Sequence, residues 1–142
     1  MENDKNETLF EADSLMLARS IASVLVEKKA IDVRMCNVKE DSSITDYYVN
    51  ATGRSSTNVS ALADEVTYKI GLQGKEALRV EGRAGNSWIL VDYGDVIVNI
   101  FDKTSREFYN FDRLMPESGN IDISDIIEEI DKKYDISNTK ED

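Results

Sequence analysis

The chain has 142 residues, with 17 basic and 28 acidic side chains, one cysteine and no histidine. This length predicts a single domain that can bury a core. The lack of histidine excludes histidine-based acid–base catalysis and most zinc sites, and a lone cysteine excludes an intrachain disulfide. No apolar run approaches the ~20 residues that cross a bilayer. The acidic, polar start also differs from a secretory signal, so we expect a cytoplasmic protein.

The negative charge is concentrated at the two ends of the chain. Residues 1–13 carry one lysine against five acids, and residues 117–142 carry three lysines against nine acids. Residues 14–116 are left with 13 basic and 14 acidic side chains, so this part is nearly neutral. We expect an acidic, partly disordered tail (1–13), one domain (14–116) and an acidic extension (117–142). A basic protein is an easier partner for such a chain than a phosphate backbone.

Apolar residues at helical spacing predict a first helix that begins at Asp13 or Ser14 and ends near Lys28. Two runs rich in β-branched and aromatic residues then predict strands at Ile31–Val38 and Tyr47–Thr52. The chain therefore starts as a helix followed by two strands.

A second helix is predicted after Ser55 or Ser56, because either hydroxyl can cap a helix and an apolar stripe follows. Gly71 and Gly74 are expected to stop this helix. A short strand is predicted next, at about Ala77–Val80.

The stretch Trp88–Phe101 is predicted to form a β-hairpin. Its two apolar, β-branched runs flank Asp92-Tyr93-Gly94-Asp95, so the chain should turn near Gly94. Buried strands do not need a Trp, a Tyr and two carboxylates gathered around one turn. The cluster therefore indicates either a catalytic rim or a surface for a macromolecular partner.

Residues 107–115 are predicted as a strand-like segment with a short helical turn, and Ile123–Tyr134 as a short amphipathic helix docked on the body or on a partner. Residues 1–8 and 136–142 are expected to be disordered. The order helix, strand, strand, helix, strand, strand, strand predicts an α/β fold, a mixed sheet of about five strands with packed helices.

Five segments of the chain together resemble the ribosomal silencing factor family, RsfS, also called Iojap. In chain order they are Asp41–Ser56, Ala61–Asp64, Leu78–Gly82, Trp88–Val98 and Arg106–Leu114. Each segment is a weak match by itself, and their combination in the family's order carries the resemblance.

The resemblance implies a nucleotidyltransferase-like sandwich, a homodimer, and neither catalytic activity nor a cofactor. It implies binding to the large ribosomal subunit through the ribosomal protein numbered fourteen. That binding would block joining of the small subunit and repress translation when nutrients are limiting. It also implies a contact surface at Trp88, Asp92, Tyr93, Gly94 and Asp95.

The chain departs from the family pattern in three ways. Asn99 stands where the family often has His, and Met115 stands where it often has Trp. The acidic extension after Pro116 also passes the family's typical end.

Residue chemistry leaves two interpretations of the predicted contact residues. Trp88 is either a core aromatic on the sheet or an interface anchor. Asp92 and Asp95 are either turn residues or partners for Lys and Arg on a basic protein. In an extended strand, Trp88 and Tyr93 point to opposite faces, so a flat strand does not present both to one partner.

The alternative function is a nucleotidyltransferase-like, nucleotide-binding enzyme. Gly53–Ser56 enters a helix whose N-terminus could hold a phosphate. Such enzymes also need two carboxylates aimed at the same Mg²⁺ ions, and Asp92 and Asp95 lie on either side of a predicted turn. We therefore favour Ser55 and Ser56 as helix caps and a protein without catalytic activity.

Overall fold

The computed structural model describes the backbone of residues 13–141 and the side chains of residues 13–134. The disordered tail predicted at residues 1–8 lies outside these residues. Within them, four α-helices pack with one six-stranded sheet. The helices are α1 (Ser14–Glu27), α2 (Ser56–Leu72), α3 (Lys103–Tyr109) and α4 (Ser124–Glu141). The strands are β1 (Ile31–Asn37), β2 (Tyr47–Gly53), β3 (Arg79–Glu81), β4 (Trp88–Asp92), β5 (Val96–Asp102) and β6 (Asn120–Ile121).

The sheet has the strand order β3-β4-β5-β2-β1-β6. Strands β2 and β5 are parallel, and all other neighbours are antiparallel. This confirms the predicted mixed α/β sheet but corrects its size from about five strands to six. The added strand is β6, whose two residues pair with Met35 and Cys36 of β1. Two residues are too few to show a strand period, so only the folded chain reveals this pairing.

The two faces of the sheet are covered by different layers. On one face, α1 and α2 bury an aliphatic core with alternate strand residues. Those strand residues are Val49, Ala51, Ile89, Val91, Val98 and Ile100. The other face, which carries Asn50, Thr52, Asn99 and Phe101, is covered by α3 and the chain that follows it.

Side-chain caps fix the start of α1 and of α2. The Asp13 carboxylate accepts a hydrogen bond from the Met16 N–H at 2.9 Å, and the Ser55 hydroxyl accepts one from the Asn58 N–H at 3.1 Å. These contacts satisfy backbone donors that have no partner inside the helix. The predicted helix starts are therefore confirmed, and the Ser55 prediction is resolved in favour of a cap.

The segment after β5 is helical, so the strand-like interpretation of residues 107–115 was wrong. The Asp102 carboxylate caps α3 by accepting from the Ser105 N–H at 2.8 Å. Asn110 ends the helix in the left-handed conformation, with φ 49°, and a 3₁₀ turn follows at Phe111–Leu114. Aromatic content favours strands by propensity, but the cap and the packing on the sheet outweigh that preference here.

The C-terminal helix docks on the body of its own chain, as one of the two alternatives predicted. Ile123, Ile126 and Ile130 are buried against the core. Lys133 Nζ lies 3.3 Å from Glu27 Oε2 of α1 and adds an ion pair at the surface. The backbone of α4 continues to Glu141, so residues 136–141 are helical rather than disordered. Within the described residues, none of the helices has the length and apolar content needed to span a membrane.

Candidate functional site

The β4–β5 hairpin turns at Gly94, as predicted. Gly94 has φ +90°, a conformation that favours glycine. The Asp92 carboxylate accepts from the Gly94 N–H at 2.7 Å and from Arg79 Nε at 3.1 Å, so both of its oxygens are used within the chain. Asp95 is exposed, and its backbone carbonyl accepts two N–H groups at the start of β2, at 3.0 and 3.1 Å. Among the residues that the structure describes, no side chain pairs with the Asp95 carboxylate, so the turn presents this carboxylate to solvent.

Trp88 is the first residue of β4 and lies on the face that α3 covers. Its ring centroid is 5.0 Å from that of Phe101 and 5.0 Å from that of Tyr109. The Tyr109 ring is in turn 5.0 Å from the ring of Phe108. Trp88 is half-buried, Tyr109 is 49% exposed and Phe108 is 78% exposed. We call Trp88, Tyr109 and Phe108 the aromatic face, since their rings run from the sheet out to solvent.

A chain of hydrogen bonds, here called the polar relay, runs under the aromatic face. Trp88 Nε1 donates to Asn99 Oδ1 at 2.9 Å, and Asn99 Nδ2 donates to Asn50 Oδ1 at 3.1 Å. Asn50 Nδ2 donates to Asp112 Oδ1 at 3.0 Å, and Asp112 Oδ2 accepts from Arg106 Nε at 2.8 Å. The indole N–H is the only polar group of a tryptophan side chain. The part of Trp88 that reaches solvent is therefore hydrocarbon.

Arg106, a residue of α3, holds the end of the polar relay that is farthest from Trp88. Its NH1 group donates to Thr52 Oγ1 and to the Asp32 carbonyl oxygen, both at 2.9 Å. Burial opposes ionisation of the Asp112 carboxyl, but the hydrogen bonds from Arg106 and Asn50 and the charge of Arg106 outweigh it. The pKa of Asp112 therefore lies below its ordinary value. The Asp112 carboxylate therefore stays ionised at neutral pH, and its pairing with Arg106 ties α3 to the chain that covers the sheet.

The five residues predicted to bind a partner do not form one cluster. Four residue steps of β4, at about 3.3 Å each, put Trp88 roughly 13 Å from the turn. Tyr93 is only 3% exposed and lies in the core under the helices, on the face opposite Trp88. Its hydroxyl has no hydrogen-bond partner among the described residues, and burial raises the pKa of this phenol far above its ordinary range. The side chain of Tyr93 therefore supports the hairpin from inside.

Phe108 and Tyr109 were not predicted as neighbours of Trp88. The strand-like segment predicted at residues 107–115 gives no indication of this contact. The useful pattern was Asp102, an N-cap residue directly after the apolar run that ends at Phe101 and three residues before Ser105. A helix starting there places residues 108 and 109 at its end, where the fold brings Tyr109 against Trp88.

The N-terminus of α2, which the enzyme hypothesis needs for a phosphate, is occupied by its own side chains. Ser55 caps it, and Asn58 Oδ1 accepts from the Arg54 N–H at 2.9 Å. A cleft of about 500 Å³ lies near the carboxyl ends of β2 and β5, and there Arg106 and Asp112 already pair with each other. The described part of the chain also holds no group of three or more Cys, Asp or Glu side chains suited to a metal ion. The arrangement favours capping over phosphate binding.

Comparisons with known proteins show the family of this chain. Residues 11–142 match the family model described as ribosomal silencing factor during starvation. The ribosomal silencing factor RsfS of Zymomonas mobilis is 34% identical over 110 residues, which cover 78% of this chain and 81% of that protein. A mouse protein named mitochondrial assembly of ribosomal large subunit protein 1 is 25% identical over 97 residues, covering 66% of this chain and 42% of that protein. A crystal structure from Chromobacterium violaceum is similar with a TM-score of 0.71 at 27% identity, covering 73% of this chain and 87% of that one. The chain belongs to the ribosomal silencing factor family, RsfS.

Proposed function

We propose that this chain represses translation by binding the large ribosomal subunit through the ribosomal protein numbered fourteen. Occupying that surface blocks joining of the small subunit when nutrients are limiting. The observation that carries the proposal is the aromatic face, where three rings reach solvent side by side. Clustered Trp and Tyr side chains act as anchors in protein–protein interfaces, because they bury a large area at little cost in rotamer entropy. The names of the relatives support a ribosomal partner.

Charge supports a protein partner for the chain as a whole. The net charge of −11, carried mainly by the two ends of the chain, repels a bare phosphate backbone and attracts a basic protein surface. In the proposed contact, Trp88 is the anchor and the exposed Asp95 pairs with Lys or Arg of the ribosomal protein. Asp92, Tyr93 and Gly94 shape the turn that presents Asp95. The surface thus combines an apolar anchor with a separate charged contact.

We further propose that silencing is steric and takes place in the cytoplasm, without catalysis and without a cofactor. The capped N-terminus of α2 supports this view, because it leaves no obvious cradle for a phosphate. In this proposal the fold is a nucleotidyltransferase-like sandwich used as a binding scaffold. The chain also forms a homodimer, and light scattering that gives a monomer mass at micromolar concentration would contradict that part.

Co-sedimentation with separated ribosomal subunits tests the proposed partner. Phe108→Ser removes the most exposed ring of the aromatic face, and Leu72→Ser is its matched control. Both parent side chains are strongly exposed, at 78% and 68%, so neither change removes core packing. Leu72 lies at the end of α2, in the layer on the opposite side of the sheet.

Wild type and Leu72→Ser are expected to pellet with the large subunit alone. Phe108→Ser is expected to bind about tenfold more weakly, which corresponds to roughly 1.4 kcal/mol, because the contact loses an exposed ring of the aromatic face. Equal binding by both variants would remove the aromatic face from the contact. A folded wild type that binds neither subunit would overturn the proposed function.

A further inference from the structure

We propose that Asn99 and Asn50 are positioning residues for partner binding, because they hold the indole N–H of Trp88 inside the protein. Both asparagines are fully buried, and neither reaches the surface that a partner would touch. They act through Trp88 over two hydrogen bonds, of 2.9 Å and 3.1 Å. The inference rests on the proposed function and names residues beyond the expected contact set.

The direction of every bond in the relay is fixed by its two ends. The indole of Trp88 can only donate, and the ionised carboxylate of Asp112 can only accept. Asn50 must therefore donate to Asp112, which leaves its oxygen to accept from Asn99 Nδ2. That in turn leaves Asn99 Oδ1 to accept from the indole. Each amide has a single productive orientation, so the relay holds Trp88 in one orientation.

The orientation of the indole decides the chemistry of the aromatic face. With the N–H bound inside, Trp88 offers a partner only hydrocarbon, and it packs against Phe101 and Tyr109. Without an acceptor at Asn99, a buried N–H would be unsatisfied, which is unfavourable, so the ring would turn to hydrate it. That movement would bring a polar edge into the face and disturb the ring contacts with Tyr109. The relay therefore keeps the face apolar and preorganised.

The test uses the fact that Trp88 is the only tryptophan, so the protein has a single indole ¹H–¹⁵N NMR signal. Asn99→Leu has a similar size but can neither accept nor donate. Asn99→His is the conservative variant, because a neutral imidazole offers one acceptor and one donor, as the amide does. Val66→Ala is the control for lost stability, since Val66 is fully buried in α2 on the other side of the sheet.

In wild type, the indole N–H is expected to exchange slowly with solvent. Asn99→Leu is expected to shift the indole signal, speed its exchange and weaken large-subunit binding about tenfold at a temperature where it is folded. Asn99→His is expected to recover most of the slow indole exchange and most of the affinity for the large subunit. Val66→Ala is expected to melt earlier than wild type, while its indole signal and its affinity stay unchanged.

Three results would overturn the inference. An indole N–H that exchanges in wild type as fast as in free tryptophan would show that the relay does not hold Trp88, and this measurement needs no variant. A folded Asn99→Leu with a shifted indole signal but wild-type affinity would overturn the positioning role and leave the proposed function intact. A wild type that does not bind large subunits would overturn the proposed function and the positioning role together.

Discussion

Substitutions at Tyr93 separate a core role from a contact role for this residue. Its hydroxyl is buried and has no hydrogen-bond partner among the described side chains. A buried, unsatisfied polar group costs about 1–3 kcal/mol. Tyr93→Phe should therefore raise the free energy of unfolding by about 1 kcal/mol, or the melting temperature by roughly 4 °C. Tyr93→Ala removes a ring that is 3% exposed and should lower the free energy of unfolding by about 3–5 kcal/mol.

Urea unfolding followed by circular dichroism measures both stabilities, and co-sedimentation with large subunits measures the contact. Tyr93→Phe is expected to bind like wild type, because the hydroxyl does not reach the surface. A Tyr93→Phe variant of unchanged stability that binds tenfold more weakly would show that the phenol touches the partner. A loss of stability greater than about 1 kcal/mol in Tyr93→Phe would show that the hydroxyl has a partner after all. The first result would refute the placement of Tyr93 as a supporting core residue, and the second would refute the unsatisfied state of its hydroxyl.

Three further predictions concern the frame around the aromatic face. Gly82 has φ +97°, and a Cβ there would collide with the Trp88 carbonyl oxygen, so Gly82→Ala should cost more than about 3 kcal/mol in urea unfolding. Asp112 has a lowered pKa, so its ionised form stabilises the fold above the unfolded pKa of about 4, and this contribution is lost as the pH falls below that value. Between neutral and acidic pH, the free energy of unfolding measured in urea should therefore fall less in Asp112→Asn than in wild type. Ile126→Ala, in the α1–α4 contact, should lower the free energy of unfolding by about 2–4 kcal/mol in thermal denaturation.

Each of these three predictions has a result that contradicts it. A Gly82→Ala protein as stable as wild type would mean that the backbone there is free to relax. If the stability of Asp112→Asn depends on pH as that of wild type does, then ionised Asp112 does not stabilise the fold by pairing with Arg106. An Ile126→Ala protein with wild-type stability would mean that α4 does not depend on its apolar face for docking.

The parts of the fold that were predictable are those in which local patterns agree with the final packing. In α2, the Ser55 cap and the apolar stripe indicate the same helix, and the folded chain buries that stripe. The hairpin was visible because two apolar runs flank Gly94, which takes the positive φ that the turn needs. Such elements carry their own start, face and end in a short stretch of sequence.

The parts that were missed depend on contacts between distant segments. Strand β6 has only two residues and exists because β1 offers a free edge at Met35. The position of α3 depends on the hydrogen bonds that Arg106 donates to Thr52 and to the Asp32 carbonyl oxygen, which no local period reveals. These elements were therefore invisible to a search for hydrophobic periodicity.

The candidate site was only half predictable for the same reason. The sequence left Trp88 as either a core aromatic or an interface anchor, and the folded chain places it half-buried on the sheet face that α3 covers. Alternation along the strand also predicted that Tyr93 lies on the other face. Phe108 and Tyr109 could not be joined to Trp88 from spacing, since α3 sets that contact. The Asn99–Asn50 bond likewise links two strands far apart in the chain.

A subunit-joining assay tests the central claim most directly. Purified small and large subunits are mixed, and light scattering follows their association as wild type, Phe108→Ser or Leu72→Ser is added. We expect wild type and Leu72→Ser to prevent joining at concentrations that match their affinity for the large subunit, and Phe108→Ser to need about tenfold more. Full joining of subunits in the presence of saturating, bound wild-type protein would contradict steric silencing through this face.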